Sequence, residues 1–288
     1  MSDVIIQLVL SGILWGSVYA LIASGLTLIY SMMSIINFAH GDLLMLAMYF
    51  AFTFFLKFNI DPIYSFPVVI ILLGVVGFII YKILIRRVIE APMFAQVFCT
   101  FGLGVFIQGL AQFIWSPIYR NIPTPVLSGV WRIMGISVSK SQVITAIVAI
   151  SAALLTYIFI TKTKTGWSML AVSQDSEAAA LMGIPVEKIY SLTWILGAAL
   201  IGLAGSFMME FYYVYPTVGT VFSNIALITI ALGGFGSIEG AFLAGLIVGV
   251  VESFSGFFLP SMLKPVIVFS LYLVVITVRP KGLLGRVS

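Results

Sequence analysis

Long apolar runs, each able to cross a lipid bilayer, dominate this sequence of 288 residues. A membrane-spanning helix needs about 20 mainly apolar residues. The first run, Val4–Tyr30, has no basic residue before it, so we interpret it as mature structure and not as a signal peptide. The later runs are Leu43–Phe58, Tyr64–Ile85, Met93–Trp115, Ser141–Thr161, Ile189–Tyr212, Phe222–Leu232, Ala241–Leu259 and Leu263–Val278. Because some runs are short or fused, the pattern predicts eight to nine spans.

The composition supports a membrane protein. Hydrophobic residues make up 61% of the chain and charged residues only 8%, and the mean hydropathy is +1.19. Soluble domains carry about 25% charged residues, so this chain has too little charge to cover a surface in water. We predict an all-α, polytopic integral membrane protein with discontinuous segments, in which residues 1–288 form a single transmembrane domain.

The scarcity of reactive side chains limits the chemistry. Cys99 is the only cysteine and therefore forms no internal disulfide, and His40, the only histidine, cannot build a metal site by itself. These two residues and the scattered acids offer no nucleophile with an oriented base, so we expect a chain that is not an enzyme. The sequence also has no Gly-Lys dipeptide and hence no Walker A loop. If ATP is used, another chain hydrolyses it.

The basic residues predict an orientation in the membrane. Nine of them fall at three points of the chain: Lys82, Arg86, Arg87, Lys162, Lys164, Lys188, Arg279, Lys281 and Arg286. The other five are Lys57, Arg120, Arg132, Lys140 and Lys264. The positive-inside rule then places the first group and the C-terminus in the cytoplasm. The N-terminus is outside if nine segments cross and inside if eight do. This topology explains the net charge of +4 without nucleic acid as a partner.

The longest polar stretch, Lys162–Lys188, predicts a short helix on the cytoplasmic side. Asp175 can cap this helix, Glu177 lies in its first turn, and Gly183 ends it. Residues Ser176–Met182 are too few to span the membrane. Such a helix is either a docking surface for a soluble partner or an ordinary surface helix between two spans.

Two apolar segments, Gly25–Met48 and Asn224–Val248, are interrupted by glycine and polar residues. The first break contains Asn37, His40, Gly41 and Asp42, and the second contains Gly233, Gly234, Gly236, Glu239 and Gly240. Transporters place discontinuous helices in corresponding positions of their two halves, where the helix ends meet the substrate. We therefore predict that Asn37, His40 and Asp42, with Glu239 as a counterpart, lie on a translocation pathway. The alternative is a pair of loops at the membrane surface.

Small residues recur at every fourth position near the end of the chain and predict close helix packing. They are Ala241, Gly245, Gly249 and Ser253. Glu210, Glu239 and Glu252 fall near predicted span ends, where water can solvate them. The sequence shows no fixed ion pair that would demand a zwitterionic substrate.

Four segments, in order along the chain, resemble the inner-membrane permease subunits of bacterial ABC importers for branched-chain amino acids. They are Gly25–Tyr49, Ala171–Gly205, Leu232–Ser253 and Arg279–Arg286. The resemblance implies that residues 163–188 form a cytoplasmic coupling segment that docks into a groove on an ATPase. Its implied contact or shape residues are Gln174, Asp175, Glu177, Ala178 and Gly183. The family often has a basic residue near the start of this motif, whereas Trp167 and Ser168 follow Gly166 here.

The resemblance also implies a set of partners. They are two ATP-binding cassette ATPase subunits that hold ATP and Mg, a second related permease chain, a periplasmic or lipid-anchored binding protein, and the lipids of the bacterial inner membrane. No cofactor is expected on this chain itself. Aliphatic amino acids are the expected substrates. A related importer of urea or short amides is an alternative, and the broken helices would equally suit an autonomous channel or secondary transporter.

Overall fold

The computed structural model describes residues 2–133, 136–260, 263–279 and 281–284, and most of them are helical. The helices are α1 (Ser2–Met33), α2 (His40–Phe58), α3 (Pro62–Ile80), α4 (Arg86–Val88), α5 (Met93–Trp115), α6 (Lys140–Lys162), α7 (Lys164–Gln174), α8 (Ser176–Leu181), α9 (Val186–Met208), α10 (Val218–Gly233), α11 (Ile238–Phe258) and α12 (Lys264–Val278). A π-helical turn, Tyr81–Ile85, joins α3 to α4. Strands β1 (Val130–Ile133) and β2 (Ile136–Ser139) form an antiparallel hairpin.

The prediction of a polytopic helical membrane protein is confirmed. Within the described ranges, seven helices are long and apolar enough to cross a membrane, and α10 and α12 are shorter apolar helices. Two details differ from the sequence prediction. The run predicted to reach Tyr212 ends its helix at Met208, and the hairpin was not anticipated. The last residues of the closing motif, including Arg286, lie outside the described residues.

Helix α9 lies at the centre of the bundle and packs against α1, α2 and α3. Its glycines bring these helices close: a Cβ on Gly205 would lie 2.6 Å from Ala47 Cβ, and one on Gly202 would lie 3.1 Å from Leu73 Cβ. Trp194 on the same helix is fully buried. Close approach of small residues is the usual basis of helix association in lipid, where no hydrophobic driving force exists between helices.

The predicted small-residue stripe lies on α11, and three of its members contact α1. A Cβ on Gly245 would lie 2.6 Å from the Ala20 Cα, and one on Gly249 would overlap the Gly12 carbonyl. Ser253 Oγ donates a hydrogen bond to the Leu8 carbonyl, at 2.8 Å. Ala241 is fully buried. This seam holds α1 and α11 together along most of their length.

The bundle has two distinct ends. The hairpin end carries β1 and β2, and there Gln7 and Ser137 exchange two hydrogen bonds of 2.7 and 3.3 Å. The α7–α8 end carries the polar segment between α6 and α9. An exposed ion pair at this end joins Arg86 to Glu187, at 2.9 Å. Between the two ends, α5 presents exposed aromatic side chains such as Phe94 and Phe113, a surface suited to lipid or to another membrane chain.

Candidate functional site

The segment between α6 and α9 folds as two short, capped helices. Thr163 accepts a hydrogen bond from the Gly166 N–H, at 3.0 Å, and so caps α7. Asp175 separates α7 from α8, and its Oδ1 accepts from the N–H groups of Glu177 and Ala178, at 3.0 and 2.9 Å. These bonds satisfy backbone donors at the start of a helix that have no partner inside it.

A glycine turn ends α8. Gly183 has a φ of +83°; its N–H donates to Ala180 O at 2.9 Å, and Ile184 N–H donates to Ala179 O at 3.0 Å. A left-handed residue at this position lets the chain close the last turn, which is why glycine is favoured there. Ala179 is buried and fixes the helix on the bundle.

The residues singled out for coupling all lie on the exposed side of this segment. They are Gln174, Asp175, Glu177, Ala178 and Gly183. No sequence pattern indicated the two most exposed apolar side chains nearby, Leu181 and Met182, which are 89% and 83% exposed. Leu181 is the last residue of α8, and Met182 follows it just before the glycine turn. A polar segment therefore presents an apolar tip to its surroundings.

The first predicted break is a non-helical stretch that turns back into the protein interior. Residues 34–39 follow α1 without helical structure, and α2 begins at His40, whose Nε2 lies 3.0 Å from the Ile22 carbonyl in the middle of α1. Asn37 is fully buried, and its side-chain oxygen accepts from the Ala39 N–H at 3.1 Å. This break is thus not a loop on the surface of the described structure.

Side chains from two other helices hold the break in place. Ser223 on α10 accepts from the Gly41 N–H at 2.8 Å and donates to the Phe38 carbonyl at 3.1 Å. Thr100 on α5 donates to the Ile36 carbonyl at 3.1 Å. Backbone groups of a non-helical stretch in a membrane have no partners within a helix and need such side-chain partners instead.

Asp42 extends this polar cluster toward α5 and α10. Its Oδ1 accepts from Gln108 Nε2 at 2.9 Å, and the same amide donates to Thr220 Oγ1 at 3.2 Å. A cavity of about 100 Å³ lies beside these three side chains. The structure therefore brings Asn37, His40 and Asp42 into one buried region.

Glu239 lies elsewhere. The second predicted break is the turn between α10 and α11, where Gly234 and Gly236 have φ values of +102° and +83°. Glu239 is exposed in the first turn of α11, and Ser237 Oγ donates to it at 3.5 Å. A Cβ on Gly236 would lie 3.8 Å from that of Ser31 near the end of α1. Thus Glu239 sits at the α7–α8 end and not beside Asn37.

Two acids meet at the hairpin end, in an arrangement that the sequence did not indicate. Asp61 caps α3 and also accepts from the Val126 N–H at 2.8 Å. Glu210 accepts from the Leu127 N–H at 3.3 Å. Burial, and next the adjacent Asp61, raise the pKa of Glu210 from 4.5 to about 8. The two carboxyl groups hold residues 126–127 against the bundle.

A larger cavity of about 450 Å³ opens between α1, α10 and α11, toward the hairpin end. Its polar lining includes Glu252, whose Oε2 accepts from the Tyr19 hydroxyl at 2.6 Å. Lys264 at the start of α12 also lines it. The residues come from four parts of the chain, and this is why no local sequence pattern revealed the cavity.

A bundle of apolar helices with a buried, non-helical break and a capped polar segment at one end defines a multi-pass membrane protein with a discontinuous helix, an arrangement common in transporters. Residues 8–277 match the family described as "Branched-chain amino acid transport system / permease component". The chain belongs to this family. The predicted resemblance is thereby confirmed.

Curated relatives extend over nearly the whole chain. The high-affinity branched-chain amino acid transport system permease protein LivH of Salmonella typhimurium is 32% identical, over 98% of this chain and 96% of the relative. The corresponding protein BraD of Pseudomonas aeruginosa is 30% identical over the same shares.

One solved structure shows a similar fold. A chain of PsaBC from Streptococcus pneumoniae, solved in complex with Fab, superimposes with a TM-score of 0.52 at 17% identity, covering 94% of this chain and 91% of that chain. At this identity the likeness concerns the fold alone.

Proposed function

We propose that this chain is the translocation subunit of an ATP-driven importer for branched-chain, aliphatic amino acids. The observation that carries the proposal is the family match, which covers residues 8–277, together with relatives described as branched-chain amino acid permeases. Two ATPase subunits hold ATP and Mg, a second related permease chain completes the pathway, and a periplasmic or lipid-anchored protein delivers the substrate. This chain binds no cofactor of its own.

The form of the α7–α8 segment supports an ATPase partner. Caps at Thr163 and Asp175 and the turn at Gly183 give the segment a fixed shape. Leu181 and Met182 project from it and are almost fully exposed. An apolar tip on a rigid, polar segment suits insertion into a groove of a soluble protein. Gln174, Asp175, Glu177 and Ala178 would flank that contact.

The distribution of basic residues supports a cytoplasmic α7–α8 end. Lys162, Lys164 and Lys188 flank the α7–α8 segment, and Arg86 and Arg87 lie at the same end of the bundle. The hairpin end then faces the periplasm of a bacterial inner membrane, and the C-terminus is cytoplasmic. In this orientation α1 starts outside, as expected when nine segments cross.

The buried cluster around Asn37, His40 and Asp42 is proposed to border the translocation pathway. Polar groups at this depth are costly unless they face protein, water or substrate. Asp42 already lines a small cavity between α5 and α10. Glu239 would lie nearer the cytoplasmic mouth.

Uptake by the assembled importer in proteoliposomes tests the proposal. We expect ATP-dependent accumulation of leucine, isoleucine and valine, but not of urea or acetamide. Uptake of urea alone would contradict the substrate class, and uptake without ATPase subunits would indicate an autonomous carrier. The double variant Leu181→Ser and Met182→Ser should abolish coupled ATP hydrolysis while leaving the chain in the membrane. The control variant is Leu154→Ser, which introduces serine at an exposed apolar residue of α6.

A further inference from the structure

The cavity at the hairpin end has the size of a small-molecule site. Its volume is about 450 Å³, and ligand pockets commonly measure about 300–1,000 Å³. A second cavity of about 170 Å³ adjoins it and shares Glu252 and Lys264. Together they form a recess between α1, α10, α11 and α12.

Two opposite charges line this recess without neutralising each other. Glu252 is half-buried on α11 and Lys264 half-buried on α12. In the described part of the chain, the recorded partner of Glu252 is the Tyr19 hydroxyl, and Lys264 forms no ion pair within 4.0 Å. Ionisable side chains that belong to membrane-spanning helices and line a cavity are candidates for contact with a substrate. One carboxylate and one ammonium group at separate positions complement a zwitterion.

Aromatic and aliphatic side chains form the rest of the wall. The Trp15 ring lies 5.9 Å from that of Tyr19 and 5.7 Å from that of Tyr212. Phe222 packs edge-on to Tyr212, at 5.5 Å between ring centroids, and Ile225 lines both cavities. Such a wall can cover a branched aliphatic side chain, and its aromatic faces also attract an ammonium group.

We propose that this recess is a binding site for the free α-amino acid on its way through the membrane. Glu252 accepts hydrogen bonds from the substrate ammonium group, Lys264 donates to its carboxylate, and Trp15, Tyr212 and Phe222 cover the aliphatic side chain. Tyr19 is a positioning residue because it holds the Glu252 carboxylate through its hydroxyl. The inference rests on the proposed function, since it assigns a site to the substrate named there. It also supplies the pair of charges that the sequence did not reveal.

Protection of an introduced cysteine measures occupancy directly. Ser11 on α1 lines the cavity, so the full chain in nanodiscs carries Ser11→Cys in a Cys99→Ser background and reacts with a charged thiol reagent. Bound leucine blocks the reagent, so labelling should slow about threefold when leucine reaches twice its Kd. Neither 4-methylpentanoate, which lacks the ammonium group, nor isopentylamine, which lacks the carboxylate, should protect at that concentration. Ser128→Cys, on the exposed loop before β1, should react at one rate throughout.

Variants that remove a charge test which side chain binds the ammonium group of the substrate and which binds its carboxylate. Glu252→Gln and Lys264→Met should each raise the leucine concentration for half-protection about tenfold, because each removes a charge-assisted hydrogen bond of the kind that contributes most strongly. In Glu252→Gln, leucine and 4-methylpentanoate should protect equally. Lys57→Met, which removes an exposed lysine at the end of α2, is the control and should leave protection unchanged.

Failure of the proposed substrate site can be distinguished from failure of the proposed function. If the importer carrying Ser11→Cys takes up leucine but leucine does not slow the labelling, or slows it equally at Ser128→Cys, the recess is not the substrate site although the proposed function stands. Unchanged half-protection in both charge variants would overturn the assignment in the same way. If the importer takes up no aliphatic amino acid and leucine gives no protection, the proposed function fails and this inference fails with it.

Discussion

At the scale of single residues, burial of Glu210 beside a second acid makes its contribution to stability depend on pH. The pKa of Glu210 is raised to about 8, by burial and then by Asp61, from an ordinary value of 4.5. The folded chain therefore holds a proton at neutral pH that the unfolded chain has released. The contribution of Glu210 to stability falls as the pH rises from about 4.5 to about 8, and it stays level below and above that range.

The Glu210→Gln variant should remove this dependence. The amide keeps the shape of the neutral acid and has no charge to bury beside Asp61. We expect the thermal midpoint of the purified wild-type chain in detergent to fall between pH 5 and pH 8, and that of the variant to change less. Glu90→Gln, at an exposed position, should follow the wild type. Parallel curves for all three proteins would show that Glu210 does not carry the pH dependence.

At the scale of elements, local signals predicted well and contacts between distant segments did not. The cap at Asp175 and the glycine at Gly183 predicted a helix of residues 176–182, and α8 spans Ser176–Leu181. By contrast, apolar composition alone carried the predicted run Ile189–Tyr212 too far, because α9 ends at Met208 and the chain then pairs Val214 with Arg120. That pairing depends on a loop far away in sequence. The cavity beside Glu252 was missed for the same reason.

Replacement of Gly183 by valine tests whether the shape of the α7–α8 segment matters. A β-branched residue at a φ of +83° should cost about 1 kcal/mol or more and tilt the end of α8. Since no other atom lies within 4 Å of the added Cβ, the membrane core should be unaffected. We expect normal amounts of chain in the membrane but reduced substrate-stimulated ATP hydrolysis. Gly109→Val, also in open space but on α5 with no positive φ, is the control, and equal activity of both variants would contradict a coupling role.

At the scale of the whole molecule, the break between α1 and α2 places polar side chains deep inside an otherwise apolar bundle. Among the described residues, Asn37 Nδ2 and His40 Nδ1 are buried without a hydrogen-bond partner. Each unsatisfied group costs about 1–3 kcal/mol. Protein atoms alone therefore do not complete the hydrogen bonding of these two groups, and a water molecule or a polar group of a substrate could do so. We expect the break to become accessible to water or substrate at one stage of the transport cycle.

A cysteine at Asn37 reports such a change. Asn37 is fully buried here, so in a Cys99→Ser background the Asn37→Cys thiol should be protected in this state of the assembled importer. We expect it to react faster in one nucleotide state than in the other, whereas Ser128→Cys on the exposed loop before β1 should react equally in both. The Asn37→Ala variant should lower uptake without lowering the amount of chain in the membrane. Slow labelling in every nucleotide state, together with full uptake by Asn37→Ala, would make this break a structural feature and exclude it from the transport cycle.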